Sequence, residues 1–264
     1  MPTATELKRE ADEFRNAGRG DRAIARYQKA QEIFLDEDDT GGATECMHML
    51  GVALVFEDEE EMGLKALKAA LEARNGPGNL VDLGRVQRDL GVAQMIYRHY
   101  LRALEYLEQS RVTLLNSNDL AERAITEAKL GRLYSLEGEY GKVDGCFDEA
   151  FLLINQVDQP DYLVAMHIDN AFACLEREQI GYMGSHLDTA WSLLEQSGET
   201  QVQLRRVAQI MGLRIRLAIN MGDWQHARSL YSSRFVPVHE ELTPGCRSVL
   251  SREIHTEELA KLVQ

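Results

Sequence analysis

The sequence lacks the long apolar segment that would mark a membrane protein. No uninterrupted apolar run in its 264 residues approaches the ~18–20 residues that span a bilayer. The N-terminal residues Met1 to Glu6 carry no signal-peptide core either. We therefore expect a cytoplasmic protein that does not contact a membrane.

Positive charge is also scarce. The chain has 29 Lys and Arg against 43 Asp and Glu, which gives a formal net charge of −14. Proteins that bind DNA or RNA regardless of sequence need a basic surface to meet the phosphates, so we expect no nucleic-acid partner. The hydrophobic share of 44% is too high for a disordered chain.

Cysteine and catalytic signatures are equally sparse. The four cysteines form no C-x-x-C pair, so we expect small buried side chains rather than disulfides or a zinc site: Cys46, Cys146, Cys174 and Cys246. No P-loop, H-E-x-x-H or G-x-S-x-G motif occurs. The segment from Asp36 suggests an EF-hand loop, but Met47 stands where the bidentate glutamate is needed. We expect a protein that is not an enzyme and has no metal or cofactor.

What the sequence does contain is an internal repeat with a step of 40 residues. A column of small residues comprises Ala11, Gly51, Gly91, Gly131 and Ala171. A turn column comprises Gly18, Asp58, Arg98, Gly138 and Glu178, and a column of large residues comprises Tyr27, Leu67, Leu107, Phe147 and Leu187. A sixth copy follows with Gly222, Ala227 and Tyr231. Between the columns, apolar residues recur at spacings of three and four, which predicts two amphipathic helices per copy and an all-α chain.

The order of small, bulky, turn and aromatic residues resembles the tetratricopeptide repeat. The first copy shows it as Ala11, Phe14, Gly18, Ala23, Tyr27 and Ala30. The family's usual period is 34 residues, so a 40-residue step is similar to its long-repeat subclass. The resemblance implies a right-handed α-α superhelix, a solenoid of six helical hairpins plus a C-terminal capping helix.

The expected hairpins follow from the columns. They span approximately residues 4–37, 43–76, 83–117, 123–157, 162–197 and 204–235. Residues 234–245 contain Pro237 and Pro244 and are interpreted as a connector. The C-terminal helix is expected at about 246–263, where it either caps the last repeat or docks a partner or a second copy.

In solenoids of this family the first helix of each hairpin lines the concave face. The positions that this implies for a binding groove are His48, Met49, Val52, Phe56, Arg85, Arg88, Met95, Lys129, Arg132, Phe172 and Arg216. Arg and Lys would hold ligand carboxylates, since the guanidinium fork matches a carboxylate, while Met95, Phe56 and Phe172 would accept apolar side chains. The alternative is that the cations pair within the groove with Asp89, Asp169 and Glu176 and contribute little.

Two acidic runs, Asp36 to Asp39 and Glu57 to Glu61, are expected in an inter-repeat loop and at an intra-repeat turn, respectively. The interpretation favoured here is a solvated, helix-capping role, and the other is a docking site for a basic partner.

Two functional hypotheses remain. The first is a non-enzymatic scaffold that binds a protein or peptide, with acidic groups on the partner, in the concave groove. The second is a peptide-sensing regulatory module that changes curvature and controls a separate effector protein, because the repeats begin at about residue 4. A homodimer is left open.

Overall fold

The computed structural model describes residues 2–74, 79–255 and 259–261, and every regular element in those ranges is a helix. The all-α prediction is therefore confirmed. The helices are α1 (Ala4–Asn16), α2 (Gly20–Asp36), α3 (Thr40–Phe56), α4 (Glu60–Arg74), α5 (Leu80–Ile96), α6 (Tyr100–Leu115), α7 (Leu120–Leu136), α8 (Tyr140–Ile154), α9 (Pro160–Glu176), α10 (Ile180–Ser197), α11 (Leu204–Asn220), α12 (Trp224–Leu230), α13 (Val236–Glu241) and α14 (Pro244–Ile254). Consecutive helices pair into hairpins, and each hairpin packs against the next along the chain.

The turn column sets the geometry of each hairpin. Its residues all have positive φ: +67° at Gly18, +66° at Asp58, +61° at Arg98, +74° at Gly138 and +56° at Glu178. The next residue closes the helix end with a backbone bond, as from the Arg19 N–H to the Phe14 carbonyl at 2.8 Å. This is the Schellman arrangement, in which a left-handed residue satisfies the last carbonyls of a helix. The same fold thus recurs at the predicted interval, even where the residue is not glycine.

The small and large columns explain why the two helices of a hairpin lie so close. A Cβ added at Gly51 would lie 2.8 Å from Leu67 Cγ, and one added at Gly91 would lie 2.6 Å from Leu107 Cγ. Members of the large column are at most 4% exposed. Glycine on one helix therefore receives the large side chain of the other, and this contact repeats along the array.

The sixth hairpin departs from the others. After α12, a π-helical turn covers Tyr231–Phe235 and leads into α13 without a break. The connector interpreted at 234–245 is therefore helical over most of its length. Pro237 does not interrupt the helix because it lies in the first turn of α13, where proline is tolerated.

The C-terminal helix α14 begins earlier than expected, with the Thr243 hydroxyl capping it. It ends at His255, whose φ is +53°. The predicted helix extended to residue 263, but residues 256–258 and 262–264, Leu262 among them, lie outside the described residues.

Helix α14 packs on α11, as a capping helix does: Ile254 covers Gly212, and Cys246 and Leu250 join the same apolar cluster. It also crosses the hollow of the solenoid to α3 and α5, which the sequence did not predict. There Val249 packs among Val55 and Leu90. The end of the chain thereby joins the last hairpin to the second and third hairpins.

No helix in the described part of the chain is both long enough and apolar enough to cross a membrane.

Candidate functional site

A cavity of about 440 Å³ lies on the concave side of the solenoid. The residues that line it come from α1, α3, α5, α7, α9, α14 and the start of α11 with its N-cap residue Gln203. None comes from the second helix of a hairpin. The expectation that first helices form the concave face therefore holds for this cavity, which is of the size that ligand pockets usually have.

The lining is rich in positive charge. Its basic side chains are Lys8, Arg15, Arg85, Arg88, Lys129, Arg132, Arg205 and Arg206. Its acidic side chains are Asp12, Glu45, Asp89, Asp169 and Glu253. A chain with a net charge of −14 thus concentrates a cationic surplus in one concave site. Low-dielectric walls strengthen the field of such a site and favour an anionic ligand.

One part of the wall, which we call the Arg88 cluster, consists of His48, Arg85, Arg88, Asp89 and Glu122. Arg88 Nε donates to Asp89 Oδ1 at 3.1 Å, and Arg88 Nη1 donates to Glu122. His48 Nε2 lies 2.9 Å from Asp89 Oδ2. Burial by itself raises the pKa of Asp89, but Arg88 and His48 outweigh burial and hold that pKa well below its usual range. The Asp89 carboxylate is therefore firmly ionised.

Arg85 belongs to the same cluster but is held more loosely. Its guanidinium nitrogens lie 3.4 Å from oxygens of Glu45, Asp82 and Glu122. Tyr162 donates a hydrogen bond to Glu122 from α9. All the acceptors of Arg85 and Arg88 therefore come from the solenoid helices themselves.

The opposite part of the wall, the Arg132 cluster, consists of Lys129, Arg132, Asp169, Arg205, Gln209 and Glu253. Asp169 accepts from Lys129 Nζ at 2.7 Å and from Arg132 Nη1 at 3.1 Å. Burial lowers the pKa of Lys129 more than Asp169 restores it. Three cations of this cluster thus share two carboxylates, one of which is contributed by α14.

Glu253 is that second carboxylate. Its Oε1 accepts from Arg132 Nη2 at 3.2 Å, and its Oε2 accepts from Arg205 Nη2 at 2.8 Å and from Gln209 Nε2 at 2.9 Å. Burial raises the pKa of Glu253, but Arg205 and Arg132 outweigh burial, so the pKa lies below its ordinary value. Glu253 is therefore an ionised carboxylate held by three donors.

Two aromatic rings that were expected to receive ligand side chains are covered by arginine. The Arg132 guanidinium lies 4.0 Å from the centre of the Phe172 ring, and that of Arg205 lies 4.0 Å from the centre of the Phe56 ring. Phe172 is only 4% exposed. These rings serve as platforms for the cations, since a ring face attracts a guanidinium.

The predicted groove residues divide among four places. Those that line the cavity are Met49, Val52, Phe56, Arg85, Arg88, Lys129 and Arg132. Met95 and Phe172 line a second cavity of about 230 Å³, and Arg132 and Glu253 line both cavities. His48 is fully buried behind Asp89. Arg216 lies at the end of α14, where its Nη2 donates to the Ile254 carbonyl at 3.4 Å.

Sequence reasoning missed the contributions of α1, α11 and α14. In α1 the offsets from the small column that gave Arg88, Val52 and Met95 also give Lys8, Asp12 and Arg15, so this signal was present. In α11 the cavity residues Arg205, Arg206 and Gln209 lie near the start of the helix. On α11 the cavity residues lie nearer the start of the helix than the predicted position Arg216. The constant offset from the small column therefore does not predict the lining of the last hairpin. Nothing in the repeat pattern indicates Glu253.

The cysteines are free and buried. Within residues 2–74, 79–255 and 259–261, no three His, Cys, Asp or Glu side chains are grouped so that they could hold a metal ion.

No protein-family model matches the sequence, and no curated protein does. Among solved structures, a Rap protein complexed with competence and sporulation factor is similar to the chain, with a TM-score of 0.71 and 15% identity. The match covers 98% of this chain and 65% of the Rap protein, so the chain spans about two thirds of that protein's length.

BtubC (BKLC) from P. vanneervenii is similar with a TM-score of 0.58 and 12% identity, over 86% of this chain and 91% of that one. At these identities the likeness shows the fold. Together with the residue columns and the hairpins they produce, it establishes that this chain has the tetratricopeptide-repeat-like solenoid fold, with long repeats.

Proposed function

We propose that the chain is a non-enzymatic binding scaffold whose concave cavity holds a short acidic peptide or the acidic end of a partner protein. The observation that carries this proposal is the surplus of Lys and Arg over Asp and Glu among the residues that line the concave cavity of an otherwise acidic chain. A carboxylate that enters the cavity meets several guanidinium groups in a medium of low dielectric, where charge-assisted hydrogen bonds are strong.

The cations least matched by fixed carboxylates lie where the two ends of the solenoid face each other. Arg206 on α11 donates to Gln203 Oε1 at 2.6 Å and lies 3.5 Å from Asp161, whose side chain is 62% exposed. Burial lowers the pKa of Arg206; Asp161 opposes this, whereas the nearby Arg205 and Arg15 add to it. Arg15 on α1 lies 3.5 Å from Asp12. An anion between Arg15 and Arg206 would relieve the repulsion of the arginine side chains.

Unused donors support the same chemistry. The Nε atoms of Arg132 and Arg205 are buried and have no hydrogen-bond partner. Buried donors without an acceptor cost free energy, which a ligand oxygen would recover if the guanidinium turned its Nε toward the cavity. The Rap protein of similar fold was crystallised with competence and sporulation factor, which is a precedent for a ligand on such a solenoid.

Isothermal titration calorimetry with an acetylated Leu-Glu-Leu-Glu tetrapeptide tests the proposal, with an amidated Leu-Lys-Leu-Lys analogue as the comparison. We expect the acidic tetrapeptide to bind and the basic one not to. The double variant Arg15→Gln, Arg206→Gln should bind the acidic tetrapeptide at least about tenfold more weakly, because each lost charge-assisted contact contributes about 1.5–3 kcal/mol.

The matched control is the double variant Arg9→Gln, Arg214→Gln. It removes the same two charges from α1 and α11, but at positions outside the cavity lining. Its affinity should equal that of the unmodified chain. Equal affinity for the two tetrapeptides, or equal loss in both double variants, would contradict a specific acidic site.

A second candidate, a regulatory module controlling a separate effector, is favoured by the contact between the two ends of the chain. The Thr243 N–H donates to the Gly18 carbonyl at 3.2 Å, and Leu242 packs on Gly18. A ligand in the cavity touches both ends at once, so its binding would alter curvature. Small-angle scattering with and without the acidic tetrapeptide tests this candidate. An unchanged radius of gyration at saturation would contradict a change of curvature and favour the static scaffold.

A further inference from the structure

The carboxylate of Glu253 enters the cavity wall from α14, outside the six stacked hairpins. Its three donors, Arg132, Arg205 and Gln209, belong to the solenoid, whereas Glu253 arrives from the last helix. Its side chain is only 6% exposed. Glu253 therefore presents to the cavity the same chemical group that the proposed ligand carries.

Helix α14 is attached at its other side by contacts of a different kind. Arg252 and Ser248 both bond to Asp58, and the Thr243 hydroxyl bonds to Glu57. These acceptors belong to the acidic run at the turn between α3 and α4. The run was expected to be solvated, but two of its residues instead bind the basic and hydroxyl side chains of the chain's own C-terminal segment.

The ion pairs between Arg252 and Asp58 are partly exposed, with side-chain exposures of 32% and 25%. Such pairs contribute little individually. The apolar contribution of α14 to the α3–α5 side comes from Val249. On the α3–α5 side α14 is thus held by few contacts, whereas its apolar side is buried against α11 through Cys246, Leu250 and Ile254. Among its polar contacts, the bonds of Glu253 are the most deeply buried.

We propose that the Arg132, Arg205 and Gln209 side chains form the carboxylate seat of the ligand site, and that Glu253 fills this seat as an intramolecular competitor. The inference rests on the proposed function. A ligand carboxylate and the Glu253 carboxylate compete for the same donors, so binding of the ligand and docking of α14 oppose each other. By linkage the effect is reciprocal: whatever loosens α14 strengthens ligand binding by the same factor.

Release of α14 has a structural consequence beyond the cavity. It uncovers Glu57 and Asp58 at the turn between α3 and α4, and the apolar surface under Val249. Ligand binding would thereby turn a closed hollow into an acidic surface with an apolar centre, suited to a basic amphipathic segment of another protein.

Cys246 gives a direct readout of α14 in the full chain. Its side chain is 1% exposed, and burial raises the pKa of its thiol to about 11, so it should react slowly with N-ethylmaleimide while α14 is docked. Cys174 on α9 is equally buried and is the internal standard in the same mass spectrum. We expect Glu253→Gln and Asp58→Asn each to speed labelling of Cys246 at least about fivefold relative to Cys174.

The control variant is Glu241→Gln, which removes an exposed carboxylate from the same segment. It should leave the labelling rate of Cys246 unchanged. Far-ultraviolet circular dichroism of all variants should keep the helical signal of the unmodified chain, which separates release of α14 from unfolding. Unchanged labelling in both Glu253→Gln and Asp58→Asn would overturn the inference.

Affinity for the acidic tetrapeptide supplies the second arm. Both Glu253→Gln and Asp58→Asn should bind it about fivefold more tightly than the unmodified chain, and the peptide should speed Cys246 labelling in the unmodified chain. Asp58 is decisive because it does not line the cavity, and a long-range effect of its lost charge would appear equally in the charge-matched Glu241→Gln.

The outcomes separate this inference from the proposed function. If the peptide binds through Arg15 and Arg206 but neither variant strengthens binding, the proposed binding function is supported, and the role of Glu253 as a competitor is wrong. If Glu253→Gln weakens binding, Glu253 supports the site and the inference is wrong. If the peptide binds no variant, even Glu253→Gln, the proposed binding of an acidic ligand is wrong. The inference about Glu253, which rests on it, is then wrong as well.

Discussion

The Arg88 cluster and the Arg132 cluster are both built around a buried arginine, but their carboxylates come from different parts of the chain. In each, a buried arginine is shared between two carboxylates: Asp89 and Glu122 hold Arg88, while Asp169 and Glu253 hold Arg132. Asp89, Glu122 and Asp169 all belong to helices of the stacked hairpins. Glu253 belongs to α14, which lies across the hollow.

This difference teaches that the function of a buried ion pair depends on the element that carries its acceptor. Removing one partner of a buried pair leaves an uncompensated charge, which costs free energy when the remaining partner cannot reach water. In the Arg88 cluster no carboxylate can leave without unpacking a hairpin. In the Arg132 cluster, Glu253 can return to water if α14 is released.

The largest expected effect is on stability, and it tests the difference between the two clusters directly. Arg88→Met should lower the free energy of unfolding by up to about 3–5 kcal/mol, because it leaves two buried carboxylates with weaker partners. Asp89 keeps His48, and Glu122 keeps Arg85 and Tyr162. Arg132→Met should cost clearly less, since Lys129 still pairs with Asp169 and Glu253 can leave with α14. Urea denaturation measures both, with the exposed Arg9→Met as the control. Equal losses at the two arginines would refute the distinction between fixed and removable acceptors.

A smaller effect is expected from acid. The pKa of Glu253 in the folded chain lies below its ordinary value of 4.5, so its contribution is complete above that pH and is lost as the pH falls through the folded pKa. The pKa of Asp89 is also held below its ordinary 3.8, but Asp89 lies on α5 within the stacked hairpins, whereas Glu253 lies on the removable α14. Amide hydrogen exchange, corrected for intrinsic rates, should therefore show α14 losing protection before α5 does. Simultaneous loss would contradict this order.

The Phe56 ring under Arg205 provides a further test of how the Arg132 cluster holds α14. Phe56→Leu removes the ring under Arg205 and should lower the free energy of unfolding by about 1 kcal/mol, with faster labelling of Cys246, because the guanidinium loses the surface that aims it at Glu253. Phe14→Leu is the matched control, since the Arg22 guanidinium lies 5.6 Å from the Phe14 ring and touches neither cluster. Unchanged labelling in Phe56→Leu would show that the ring does not position Arg205.

The smallest effect is expected from salt. Raising NaCl to about 1 M shortens the Debye length to about 3 Å and should weaken the half-exposed pair of Arg252 with Asp58 by less than about 1 kcal/mol. Labelling of Cys246 should rise roughly twofold, while urea stability, which depends on the buried Arg88 cluster, should not fall with it. A salt response that persists in Asp58→Asn would mean that another contact is being screened.

Much of the fold could be predicted from the chain because short-range rules generate it. Helical periodicity, the turn column and the small column recur within each 40-residue copy. Even the non-glycine residues Asp58, Arg98 and Glu178 adopt the left-handed turn that the column predicts. The concave positions of α3, α5 and α7 followed from the same register. The register failed in the last hairpin, where a π-helical turn and Pro237 continue a helix that was expected to stop.

The local pattern of the sequence by itself determined the hairpins, their order and the helices that face the hollow, because these depend on residues a few positions apart. Only the tertiary structure decided that Glu253 meets Arg132 across 121 residues and that Asp58 meets Arg252 across 194. The path of a single C-terminal helix has no period to reveal it. Its place is set by the curvature accumulated over the whole stack, which brings the end of the chain back against its beginning.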